Sequence, residues 1–137
     1  MIAAIIAGLL YFGVVFSLAF VLGVARTLVV APWLGTTAAV LIEMPIVVSA
    51  SFVAARHLLR RRPLSLPQRD AMGGLGFALT MASEAVLAGL IRDQSTGHWA
   101  AELFTPLGMA GLAGQLAFGA MPLLIKPPHH RNTRQTA

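Results

Sequence analysis

The chain contains no cysteine. That excludes disulfides, thiol nucleophiles, iron–sulfur clusters and cysteine-ligated zinc, and it leaves the redox compartment open. Charge is scarce as well: Asp, Glu, Lys and Arg make up 11 % of the 137 residues, against roughly 25 % in soluble domains. Ligand spacing of the HExxH kind does not occur. The glycines Gly73, Gly74 and Gly76 are no phosphate loop, because no strand precedes them and no Lys-Ser/Thr follows. A nucleophile with its base cannot be assembled. The sequence therefore points to a protein that is not an enzyme, and it assigns neither cofactor nor metal.

What the chain has in quantity is apolar surface. Hydrophobic residues reach 57 %, mean hydropathy is +0.78, and the few charges cluster so that long apolar runs separate them. This predicts an all-α integral membrane protein, a four-helix bundle forming one domain over residues 1–125. Its helices are expected at about 1–26, 35–59, 68–91 and 105–125. Residues 126–137, with Pro127, Pro128 and no apolar pattern, read as a basic disordered tail.

The first apolar run, from Met1 to Ala25, has no Lys or Arg ahead of it and exceeds a signal-peptide core, so it reads as an uncleaved helix. Tyr11 sits near its middle and needs a hydrogen-bond partner there. Arg26 is expected to close the helix, because Pro32 follows soon after and cannot continue one without cost. Trp33 is the kind of ring found at headgroup level. Ser65 with Gln68 reads as a capping box ahead of the third helix. Thr105-Pro106 is a good start for the fourth, and His98 to Phe104 suggests a short interfacial helix carrying Trp99. Two sets of small residues are expected to let helix backbones approach closely. One is Gly74, Ala78, Ala82, Ala85 and Gly89; the other centres on Gly108, Gly111 and Gly114.

Four crossings put Arg56, Arg60, Arg61, Arg62, Arg69, Lys126, Arg131 and Arg134 on one side, and only Arg26 and Arg92 on the other. The bias of basic residues toward the cytoplasm then places both termini inside. The net charge of +5 is read as orientation and attraction to anionic headgroups at Arg60, Arg61 and Arg62, with no nucleic-acid partner.

Ionisable residues inside the apolar runs are the candidate site. Glu43, followed by Met44 and Pro45, lies about 12 Å below the outer surface, and Glu84 about 10 Å below it, at 1.5 Å per residue. Arg26 marks the outer end of the first helix. A charge at the bilayer centre costs roughly 2.5–3.5 kcal/mol, so such groups face inward and find partners. Arg26 with Glu43 is the first expected pair. Glu84 is either a second partner for Arg26 or a neutral acid. Pro45 frees the carbonyl of Leu41 one turn from Glu43. Gln115 could bond across helices. Two readings stay open: a structural polar clasp, or a proton-linked or polar-ligand site used by a small proton-coupled transporter. The histidines His57, His98, His129 and His130 share no depth inside a bundle and are expected at the surface or in the tail.

The strings YFGVVFSLAFVLGVARTLVVAPWLG, AAVLIEMPIVVSASFVAARHLL and MASEAVLAG together resemble a family of small bacterial four-helix membrane proteins of unassigned function. That resemblance implies the topology, the Arg26, Glu43-Met44-Pro45 and Glu84 set and a bacterial inner membrane, but no substrate. With the small-residue faces, the expectation is a non-enzymatic accessory or assembly subunit, or a homo-oligomer.

Overall fold

A computed structural model describes residues 1–126. The expected tail beyond Lys126, with His129 and His130, lies outside the described residues. Among the described residues every regular element is helical. Four helical stretches are long and apolar enough to cross a membrane: Ile2–Leu34, Thr36–Arg61, Leu66–Arg92 and Pro106–Leu124.

The first stretch departs from expectation. The helical stretch does not stop at Arg26: α1 (Ile2–Ala25) passes there into a single π-helical turn, Arg26–Val30, and then into α2 (Ala31–Leu34). The turn is closed by the Ala31 amide donating to the Arg26 carbonyl, five residues back. Pro32 then falls in the first turn of α2, where a missing N–H costs least. The chain reverses instead at Gly35, whose φ of 80° is a conformation that residues with a Cβ rarely adopt.

Helix α3 (Thr36–Arg61) runs unbroken through Pro45. Helix α4 (Leu66–Arg92) starts as the sequence suggests, with the Ser65 amide donating to Gln68 Oε1 at 2.9 Å. It ends at Asp93, in the left-handed region. Next comes the short α5 (Thr96–Glu102), capped by Ser95 Oγ, which accepts from the His98 amide at 3.2 Å. Helix α6 (Pro106–Leu124) is capped by Thr105 Oγ1, which accepts from the Gly108 amide at 3.1 Å.

The long helices pair as two hairpins, α1 with α3 and α4 with α6. Helix α1 also packs on α4, and α3 on α6, so α1 and α6 face each other across the bundle, as do α3 and α4. The tightest core gathers Tyr11, Ala55, Leu59, Met72, Phe118 and Met121, toward the end that carries Arg60, Arg61 and Arg62. Outward, all four stretches show large apolar side chains, such as Val21, Leu41, Val86 and Leu116.

Close approach occurs at one of the expected glycines, Gly108, where a Cβ would meet the Glu102 carbonyl oxygen at 2.0 Å, but between the long helices it falls at other glycines than expected. A Cβ on Gly73 would meet the Gly119 carbonyl oxygen at 1.9 Å, so α4 and α6 touch backbone to backbone there. A Cβ on Gly8 would meet the Met72 carbonyl at 3.1 Å, which marks the α1–α4 contact. Gly74 and Gly111 have nothing within 4 Å, and Gly74, Ala78, Ala82 and Gly89 are exposed. The rotation of α4 is set by Met72 and Gly76, which meet Tyr11 and Phe118 in the core. That turns the small-residue stripe outward.

Candidate functional site

The hairpin about Gly35 has two equal arms. Arg26 stands eight residues before Leu34 and Glu43 eight residues after Gly35, so each lies about 12 Å from the turn at 1.5 Å per residue. The two side chains are level, and Arg26 Nη1 stands 3.0 Å from Glu43 Oε2. Arg26 is therefore not at a helix end, as expected, but two turns inside the hairpin. The π turn that begins at Arg26 carries the helix past it.

The pair is partly sheltered, with side-chain exposures of 34 % for Arg26 and 15 % for Glu43. The approach is close, yet the guanidinium N–H bonds do not point along it, and Glu43 Oε2 accepts no aligned hydrogen bond from the protein. The distance sets the Coulomb attraction; the missing alignment means that the contact lacks the geometric selectivity of a forked arginine–carboxylate pair. Pro45, next to the pair in sequence, is exposed and takes no part in it.

Glu84 does not join Arg26 directly. Its Oε1 accepts a hydrogen bond from Gln115 Nε2 at 2.5 Å. Gln115 thus bonds across helices, from α6 to α4. Each hairpin carries one clasp some way below its turn: Arg26 to Glu43 joins the α1 stretch to α3, and Glu84 to Gln115 joins α4 to α6.

Tyr11 lies in the other half of the bundle. Its hydroxyl donates to the Phe118 carbonyl at 2.8 Å, and its ring stacks on Phe118 with centroids 4.4 Å apart. The carbonyl is free because Pro122, four residues on inside α6, has no N–H to offer it. Ser51 and Thr80 hydroxyls bond back to the carbonyls of Val47 and Gly76 on their own helices, as expected for such residues.

Two polar groupings escaped the sequence reading. The first knots the α4–α5–α6 connection. Glu102 accepts from Arg92 Nη1 at 3.0 Å and from Gln94 Nε2 at 2.8 Å, and His98 Nε2 lies 3.5 Å away. The Gln94 hydrogen bond, helped by the Arg92 charge, holds the Glu102 carboxyl below the usual glutamate range. The i,i+4 spacing of His98 and Glu102 was its one visible signal. The second is Arg69, only 4 % exposed. Its Nε donates to the Leu64 carbonyl at 3.0 Å, and its Nη1 to the Ile125 carbonyl at 2.5 Å. It ties the start of α4 to the end of α6. Counting basic residues by side conceals that role, because a charge tally cannot tell a buried arginine from a solvated one.

Among the described residues no three His, Asp or Glu side chains converge on a metal-sized space, and His57 is exposed. No protein-family model, curated protein or solved structure matches the chain.

Proposed function

We propose that the chain is a small non-enzymatic protein of a bacterial inner membrane, crossing the bilayer four times with both termini in the cytoplasm. In this reading it works as a homo-oligomer or as a subunit of a larger membrane assembly. Large apolar side chains facing outward on all four long helices support insertion, since soluble monomers rarely expose apolar patches beyond a few hundred Å². The basic residues at the α3–α4 end, including Arg60, Arg61 and Arg62 at the headgroups, support the orientation. Leu28, Val29 and Trp33 are exposed, which continues the apolar surface past Arg26 and keeps its pair with Glu43 within the apolar zone.

One observation carries the assembly reading. The chain packs internally through Gly73 and Gly8 and leaves Gly74, Ala78, Ala82 and Gly89 exposed along α4. A smooth stripe of this kind lets a second helix approach closely where no hydrophobic drive exists. The Arg26–Glu43 and Glu84–Gln115 contacts each close one hairpin, which favours a structural clasp. The test is the size of the protein in mild detergent. The expectation is a particle larger than one 14.4 kDa chain, reduced to a folded monomer by Ala82→Phe. A monomeric wild type under several mild detergents, or a variant that still assembles, contradicts the reading.

A further inference from the structure

At the end of the bundle that carries the α3–α4 loop lies a cavity of about 380 Å³. Helix α3 supplies Phe52, Arg56 and Arg60, spaced by four residues so that they share one face. Helix α4 supplies Arg69, and the end of α6 supplies Leu124 and Lys126. Four cations from three segments line one cavity, and no acid lines it. The wall is of two kinds: the guanidinium of Arg56 sits 6.0 Å from the centre of the Phe52 ring, beside the apolar Leu124.

Arg69 is what makes this more than a basic surface. It is buried, and it spends two of its five N–H bonds on the Leu64 and Ile125 carbonyls, which fix its position and leave three donors. A fixed guanidinium suits a phosphate better than a mobile one, because little rotamer freedom is lost on binding. The neighbouring Arg56, Arg60 and Lys126 can neutralise the rest of the anion's charge.

We infer that this cavity is a binding site for one anionic phospholipid, its phosphate held by Arg56, Arg60, Arg69 and Lys126 and an acyl chain lying over Phe52 and Leu124. The inference rests on membrane insertion as proposed above. It is distinct from headgroup attraction at Arg60, Arg61 and Arg62, because it predicts a stoichiometric site rather than a diffuse field. A free phosphate shares the headgroup chemistry but has no use for the apolar half of the wall, so the lipid is the occupant the lining favours.

The test is native mass spectrometry of the full chain, titrated in detergent with phosphatidylglycerol or with phosphatidylcholine. The expected result is one phosphatidylglycerol retained per chain, in clear preference to phosphatidylcholine. Removal of a lining cation should weaken retention roughly fivefold each, from about 1 kcal/mol per basic residue. Arg56→Gln and Arg60→Gln are exposed positions and test this without touching the Arg69 tie, whose loss could unfold that end. Arg61→Gln, exposed and outside the cavity, is the control. Equal loss in Arg61→Gln and Arg60→Gln, or no preference in the wild type, overturns the site. So does displacement of the lipid by millimolar inorganic phosphate, which would make the cavity a soluble-anion site. Alkaline carbonate extraction of cell membranes separates the two levels of failure. A chain that stays in the membrane but shows no preference sinks this inference alone, whereas a chain released by carbonate sinks the membrane reading and this site with it.

Discussion

At the scale of single residues, the bundle is held by polar groups that answer defects in one another. Pro122 leaves the Phe118 carbonyl without its helical donor, and Tyr11 supplies one at 2.8 Å. Replacing Tyr11 by Phe keeps the stacked ring but leaves a buried acceptor unpaired, which costs about 1–3 kcal/mol. Reversible unfolding in mixed micelles measures this, and an unchanged midpoint would show that the hydroxyl is dispensable. The need of Tyr11 for a partner was legible in the sequence. The partner was not, because 107 residues separate the two and nothing local says which carbonyl comes near. The proline at position 122 was the available clue: it names the carbonyl that wants a donor. Glu84 teaches the same lesson. Its depth implied a partner, but whether Arg26 or Gln115 reaches it depends on which helices are neighbours.

At the scale of elements, starts were easier to read than ends. Ser65 with Gln68 and Thr105 with Pro106 mark helix beginnings because their caps use local atoms. The end of the first helix was misplaced because a π turn has no sequence signature: Arg26 and Pro32 look like stops, yet the π turn carries the helix past the arginine and the proline falls in the first turn of α2. The same shift moves Arg26 from a helix end to a position level with Glu43. Small-residue spacing showed that α4 has a face for close packing but not which one the bundle uses, since Gly73 and Gly74 are adjacent and point about 100° apart on a helix with 3.6 residues per turn. The two glycines therefore make a paired prediction. Gly73→Ala places a Cβ against the Gly119 carbonyl and should destabilise by about 1–3 kcal/mol as α4 and α6 separate. Gly74→Ala meets nothing within 4 Å inside the chain and, in the monomeric Ala82→Phe background, should change stability by less than about 0.5 kcal/mol, or raise it through helix propensity. Equal effects in mixed-micelle unfolding would contradict the assigned rotation of α4.

At the scale of the whole molecule, the two ends differ in kind. The end with Arg60, Arg61 and Arg62 has the dense core and the Arg69 tie. The opposite end has sparser burial, the two clasps and the Glu102 knot. Composition and charge clustering made the all-helical class and the four long apolar stretches legible. The order of helices around the bundle was not legible, because the long helices are apolar on their outward faces as well, so an apolar stripe does not mark the inward one. In the proposed topology these four stretches cross a bilayer with the α3–α4 loop inside and the α5 connection outside. The absence of native cysteine permits a direct measurement: single cysteines at Gly97, where a Cβ meets nothing within 4 Å, and at exposed Arg62, probed with a membrane-impermeant maleimide. Gly97→Cys is expected to label in cells whose inner membrane is intact, and Arg62→Cys only after lysis. Labelling of Arg62→Cys in those intact cells, or protection of Gly97→Cys, would contradict that topology.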